Sequence, residues 1–107
     1  MCGDGKQESR ACISALITAY AKKYGVSSKL ALDIAQCESS LRGNVFGDSG
    51  KAYGTYQFHK PTFAAFSKQF GEELDYYDNE HNIKLAMWAI SRGNEYHWSC
   101  YRKVTDQ

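Results

Sequence analysis

A chain of 107 residues with 43% hydrophobic residues and a net charge of +1 suits one folded domain over residues 1–107 and excludes a disordered polymer. That charge balance also excludes the strongly basic face a nucleic-acid groove needs, and it leaves uncharged or mixed-charge partners, carbohydrate among them. No apolar run approaches the roughly 18–20 residues that span a bilayer, so no membrane span is expected.

Met1-Cys2-Gly3-Asp4-Gly5 has no apolar core of a secretory leader. Four cysteines in so short a chain nevertheless fit an oxidising compartment. The two facts reconcile if a leader has been removed and Met1 is an added start, which places the protein outside the cytoplasm: secreted, periplasmic or cell-wall associated. Four cysteines allow three pairings. Cys37 with Cys100 and Cys2 with Cys12 is the favoured set, and buried free thiols are the alternative. A Cys37–Cys100 bridge closes a loop of about 60 residues, worth on the order of 4 kcal/mol in the chain-entropy model.

Ser9 can cap a first helix running to about Tyr24, with Gly25 as its stop. Ile13, Leu16, Ile17, Tyr20 and Tyr24 share one face of it. Ser27 or Ser28 caps a second helix through about Glu38, with Leu30, Ala31, Ile34 and Ala35 as its apolar stripe. Glu38 continues that stripe. Residues 42–58 carry four glycines and read as a loop with a short irregular hairpin. Pro61 suits the first turn of a third helix, in which Phe63, Phe66 and Phe70 share a face up to Gly71. Asp78 or Asn79 caps a fourth helix, with Ile83, Ala86, Met87 and Ile90 inward and Gly93 as the stop. A short aromatic tail follows, with Tyr96, His97, Trp98 and Tyr101.

Glu38 is the candidate acid. Its apolar neighbours disfavour the charged carboxylate, and the negative end of the helix dipole opposes it as well. Both keep a proton on the group near neutral pH, as a general acid requires. An exposed helix-end glutamate is the plain alternative. Asp48 follows ten residues later in Gly47-Asp48-Ser49-Gly50. Two carboxylates from a helix end and a facing hairpin can flank a glycosidic bond. Asp48 as a simple turn residue fits equally. In Tyr53-Gly54-Thr55-Tyr56-Gln57-Phe58, Gly54 permits close backbone approach and Gln57 offers a donor and an acceptor. The neighbouring rings present faces to sugar C–H groups, or pack on helices.

Glu38-Ser39 after an apolar helix, followed by Gly54-x-x-Gln57-Phe58, resembles the soluble lytic transglycosylase and goose-type lysozyme superfamily over roughly residues 28–101. Asn82-Ile83-x-x-Ala86 and Trp98-Ser99-Cys100-Tyr101 are similar to small secreted or phage-associated members. The resemblance implies a lysozyme-like α+β fold, predominantly α, with a small β-hairpin beside the active-site cleft. It implies cleavage of the β-1,4 bond between N-acetylmuramic acid and N-acetylglucosamine in peptidoglycan. Glu38 would protonate the bridging oxygen and then act as base while the muramoyl C6 hydroxyl closes a 1,6-anhydro ring. Ser39 would fix the Glu38 region. Tyr53, Gly54, Tyr56 and Gln57 would line the sugar groove, with Trp98 and Tyr101 as further substrate-binding positions. A monomer acting on glycan strands without metal or organic cofactor is expected.

Two departures from the family pattern stand out. The helix that often carries Ala-Tyr-Asn-x-Gly reads Ala86-Met87-Trp88-Ala89-Ile90-Ser91-Arg92-Gly93 here, leaving Tyr96 or Tyr101 to support the acid. Thr55-Tyr56 replaces the usual Leu-Met. Three outcomes therefore stay open beside transglycosylation. One is a hydrolytic lysozyme using Glu38 and Asp48. Another is a non-catalytic glycan-binding module. The last is a disulfide-stapled interaction protein. His59, His81 and His97 lack metal-ligand spacing, and the acidic run from Asp75 to Glu80 reads as helix capping and not as a calcium loop. Cysteine nucleophile chemistry at Cys37 is disfavoured by its expected bridge. The Lys22-Lys23 and Arg102-Lys103 pairs read as solvated surface.

Overall fold

The computed structural model describes residues 9–106. Five α-helices and one small sheet follow in the order α1 (Arg10–Tyr24), α2 (Ser28–Ser39), β1 (Phe46–Gly47), β2 (Ala52–Tyr53), β3 (Phe58–His59), α3 (Lys60–Phe70), α4 (Asn79–Ser91) and α5 (Ser99–Thr105). A 3-10 turn, Glu95–His97, precedes α5. The fold is thus α+β and mainly α, as expected. No helix of the described residues is long and apolar enough to cross a membrane.

The helix ends follow from local chemistry. Ser9 Oγ accepts from Cys12 N–H at 3.1 Å, Ser27 Oγ from Leu30 N–H at 3.2 Å and Asp78 Oδ1 from His81 N–H at 3.2 Å. Each satisfies a donor that the first helical turn leaves unpaired. Gly25 and Gly71 close α1 and α3, and Pro61 sits in the first turn of α3. Helix α1 packs on α2 and α4, α5 packs on α2, and α3 rests on α4 and β3. Ile13, Ile17, Ala31, Ile34, Ile83 and Met87 meet in the fully buried centre.

Two expectations need correction. The 42–58 hairpin is a three-stranded antiparallel sheet in the order β1-β2-β3, pairing Phe46 with Tyr53 and Tyr53 with Phe58. The last strand runs straight into α3, so one extended pair was hidden beside a helix start. The aromatic tail is not a simple tail. It forms the 3-10 turn and α5, whose seven residues are too few to show a helical period in sequence. Helix α5 is tied to α2 by the Cys37–Cys100 disulfide, across 63 residues of chain. The expected Cys2–Cys12 pairing lies outside the described residues.

The sheet is held to the helices through buried polar side chains. Asn82 Oδ1 accepts from Tyr56 N–H at 2.9 Å, and its Nδ2 donates to Tyr53 C=O at 2.9 Å. Asn79 Oδ1 accepts from Thr55 N–H at 3.0 Å, and its Nδ2 donates to Thr55 Oγ1 at 2.7 Å. Both asparagines are buried at the start of α4. They approach the chain so closely that a Cβ on Gly54 would lie 2.2 Å from Asn82 Nδ2, and Gly54 also has φ +89°. Only glycine meets both conditions. Tyr56 hydroxyl donates to Ala31 C=O at 2.7 Å, and Trp98 Nε1 donates to Tyr56 C=O at 2.9 Å.

Asn82→Ala removes the partners of two buried backbone groups, each costing about 1–3 kcal/mol when left unpaired. We expect a loss of about 3 kcal/mol or more in urea unfolding, with an unchanged m-value. A loss below ~1 kcal/mol would show that water replaces the carboxamide there.

Candidate active site

Glu38 stands in the last turn of α2, half-buried. The turn after it is unusual. Ser40 and Leu41 both have left-handed backbone, at φ 58° and 57°. All five such non-glycine residues among those described, which include Asp48, Ser49 and Gln57, fall between positions 40 and 57. This conformation costs roughly 1–2 kcal/mol per residue and persists only where the surroundings hold it. Here they do. Arg42 N–H donates to Ser39 Oγ at 3.3 Å, Arg42 Nε donates to Ser39 C=O at 2.9 Å, and Arg10 Nε donates to Ser40 C=O at 3.1 Å. The two guanidinium groups satisfy carbonyls that the helix end leaves open. Ser39 itself is buried and bonded within the chain, so it positions the helix end next to Glu38 and does not face solvent.

The carboxyl faces a cleft of about 530 Å³. The helical side contributes Glu38, His97, Trp98 and Ser99, and the sheet side contributes Gly47, Asp48, Ala52, Gln57, His59 and Thr62. Burial pushes the Glu38 proton affinity above the ordinary glutamate value, while the Cys100 N–H and the Lys103 ammonium pull it the other way. Burial is the largest of the three effects. The start of α5, brought alongside by the disulfide, offers Glu38 the stabilising Cys100 N–H.

Asp48 enters the same cleft from the tip between β1 and β2. It is exposed, and its Oδ2 lies 3.1 Å from His59 Nε2. His97 is held below the usual imidazole range, first by burial and then by the charge of His59. Gln57 lines the cleft and also braces it. Its Nε2 donates to Gly54 C=O at 2.9 Å and to Val45 C=O at 3.2 Å. Its Oε1 fills the space where a side chain on Gly47 would stand.

Several expected groove residues lie elsewhere. Tyr56 is fully buried with its hydroxyl engaged by α2, so it is a core residue and lines no groove. Gly54 is buried beneath the asparagine pair. Tyr53 is 7% exposed, packs under Phe46 and Tyr77, and donates its hydroxyl to Asn44 Oδ1 at 3.2 Å. Trp98 is almost wholly buried yet lines the cleft, where it borders a second recess formed with Tyr96, Tyr101 and Arg102. Tyr96 and Tyr101 line that neighbouring recess, and the Cys100 N–H hydrogen-bonds to the Glu38 carboxyl.

His59, Thr62, His97 and Ser99 are cleft residues that sequence reasoning missed. Each of the two histidines adjoins a residue that the sequence singles out, Phe58 or Trp98. No group of three or more potential metal-binding side chains occurs among the described residues. A larger recess of about 700 Å³ lies between α3 and residues 71–76. Its carboxylates, Glu72 and Glu73, are exposed, and Glu72 is paired with Lys84 at 3.1 Å. It therefore lacks the half-buried acid that marks the smaller cleft.

No curated protein and no solved structure matches the chain significantly. The family model described as "Transglycosylase SLT domain" matches residues 15–100, a span that holds Glu38, the three-stranded sheet and the asparagine pair. The chain thus belongs to the transglycosylase SLT domain family.

Proposed function

We propose that this chain is a peptidoglycan lytic transglycosylase, acting as a single domain, with Glu38 as its general acid and base. The observation that carries the reading is a half-buried carboxyl, its proton affinity raised by burial, on the wall of a cleft large enough for sugars. Family membership supports the substrate class. The disulfide fits an extracytoplasmic site of action.

In this mechanism the Glu38 carboxyl donates its proton to the bridging oxygen as the muramoyl C1–O bond breaks. The substrate's acetamido oxygen shares the positive charge that develops at C1. The Glu38 carboxylate then takes the proton of the C6 hydroxyl as that oxygen bonds to C1. The products are a new glycan end and a 1,6-anhydromuramoyl end, with no water consumed. Glu38 finishes protonated, ready for the next bond. Neutral His97 and the Gln57 carboxamide supply hydrogen-bonding groups beside the reacting sugars.

A hydrolytic second reading draws on Asp48, which shares the cleft with Glu38. The His59 contact and the exposure of Asp48 favour the substrate-assisted route, since a carboxylate already engaged and solvated is a poor stabiliser of a cationic sugar.

Glu38→Gln should leave the fold intact and reduce release of soluble fragments from purified peptidoglycan by about 10²–10⁴-fold or more. Activity close to that of the parent chain would end the assignment. The raised proton affinity also has a stability consequence. The native state binds this proton more tightly than the unfolded chain, so ionising Glu38 costs stability as pH rises through its folded value. The glutamine variant should melt at the same temperature or higher near neutral pH, with the gap closing below the ordinary glutamate value of 4.5.

The alkaline limb of kcat/KM should lie above that same value, because activity needs the protonated acid. Lys103→Glu removes a charge that favours ionisation, and it should move this limb to higher pH. A limb unmoved by Lys103→Glu would show that another group controls it.

Asp48→Asn should lower kcat by less than about fivefold, and mass analysis should find anhydro ends lighter by one water than reducing ends. Severe loss together with reducing ends would favour the hydrolytic enzyme. Binding to peptidoglycan without any fragments would indicate a docking module.

A further inference from the structure

Thr55 is wholly buried, yet both hydrogen-bonding roles of its hydroxyl are filled. Its Oγ1 accepts from Asn79 Nδ2 at 2.7 Å and donates to Arg42 C=O at 3.0 Å. Arg42 in turn holds the end of α2, through its N–H to Ser39 Oγ at 3.3 Å and its Nε to Ser39 C=O at 2.9 Å. Asn79, Thr55, Arg42 and Ser39 thus form an unbroken run of hydrogen bonds from the start of α4 to the residue beside Glu38. A buried hydroxyl is unfavourable unless paired, so a residue that only filled space here would be apolar. Thr55 is also a position where the chain departs from the leucine usual in the family, and leucine could make neither bond.

The two ends of this run lie on opposite sides of the cleft. Glu38 stands on one wall and Gln57 on the other. Between Ser39 and Arg42 lies the left-handed turn of Ser40 and Leu41, a backbone that persists only where its surroundings hold it. Ser39 fixes one side of the turn, and the Thr55 hydroxyl fixes the other through the Arg42 C=O. The Tyr56 hydroxyl already ties the sheet to the middle of α2 at Ala31, whereas Thr55 ties it to the helix end that carries the acid.

We propose that Thr55 is a positioning residue for Glu38, its hydroxyl acting through Arg42 and Ser39 to fix the acid against the sheet wall of the cleft. The inference rests on the reading of Glu38 as the general acid. Removing the hydroxyl leaves the Arg42 C=O without this donor and the Asn79 Nδ2 without this acceptor. The turn is then released, and the end of α2 shifts relative to Gln57. Proton transfer is sensitive to such a shift, since a misplacement of about 1 Å can cost about 10²-fold in rate. The groove contacts themselves remain, so the loss falls on kcat and not on KM.

The test compares Thr55→Val, which keeps the shape and removes the hydroxyl, with Thr55→Ser, which keeps the hydroxyl. Each chain is measured at a temperature where circular dichroism shows it folded. One readout is kcat and KM on soluble peptidoglycan strands, and the other is the titration of the Glu38 carboxyl followed by NMR. The second needs no turnover, so a failure of the transglycosylase reading shows in the first alone. Valine brings no charge, and Lys103 on α5, His97, and Asp48 and His59 across the cleft are all retained. A moved titration therefore reports a changed setting of the carboxyl. Thr55→Val should lower kcat about tenfold or more with KM within about twofold. Its Glu38 midpoint should fall toward the ordinary value of 4.5 as water reaches the carboxyl. Thr55→Ser should stay within about threefold of the parent kcat and keep the parent midpoint. Arg42→Ala alters an exposed side chain and removes only the guanidinium link, so it tests the same run even where the valine variant does not fold. It should lower kcat about threefold or more and move the midpoint the same way. Parent-like kcat in Thr55→Val, a loss of activity or stability with the Glu38 titration unmoved, or a serine variant as impaired as the valine one would overturn the proposal. So would an Arg42→Ala chain with the parent's kcat and midpoint.

Discussion

Two asparagine side chains hold this molecule together at the point that matters. Asn79 and Asn82, buried on the first turns of α4, carry the hydrogen bonds of Tyr53, Thr55 and Tyr56 that the narrow sheet cannot make for itself. A strand pair only two residues long has too few ladder bonds to be stable alone. Docked onto buried carboxamides, it is tied to the start of α4 by four side-chain hydrogen bonds. The constraint propagates outward. Gly54 must lack a side chain, Tyr56 is driven into the core against α2, and Gln57 is left to face the cleft.

The same scaffold explains how the proton affinity of Glu38 is raised without the group being sealed away. Glu38 is desolvated by its surroundings, yet the Cys100 N–H and Lys103 moderate the effect from α5. That helix is positioned by the disulfide at the residue preceding Glu38, so one covalent link places both the acid and its moderating neighbours. Proton affinity at this site is therefore a balance between burial and a nearby donor, and not a property of the α2 helix end alone. The left-handed turns at Ser40 and Leu41 belong to the same design. They end α2 directly after Glu38 and Ser39.

The cleft does not stand alone on the surface. Trp98 and Ser99 join it to the recess of Tyr96, Tyr101 and Arg102, and His59 joins it to the recess of Phe46 and Tyr77. The three exposed large hydrophobic residues among those described, Phe46, Tyr77 and Tyr96, all fall along this line. A long polymer with one bond over Glu38 would meet rings on either side, with cationic groups at both ends. That arrangement suits a ligand larger than the cleft itself.

Local rules sufficed for the helix limits, because serine, aspartate, proline and glycine act on their immediate backbone. They also sufficed for the inward faces of α2 and α4 and for the half-burial of Glu38, since a carboxyl extending an apolar stripe is visible at helical spacing. The cluster of rings around Gly54 is legible in the sequence, but whether they face solvent or core is not. Tyr56 points inward because its hydroxyl reaches Ala31 and its backbone is claimed by Asn82 and Trp98, contacts 25, 26 and 42 residues apart in the chain. The short α5 carries too few residues for periodicity, and only the bridge to Cys37 and packing on α2 give it a place. His59 and His97 became cleft residues through the same long-range docking. Residue order alone thus determined where the four long helices start and stop and placed Glu38 at the end of an apolar stripe. Tertiary packing decided which rings reach the surface, because exposure depends on distant partners that no local pattern encodes.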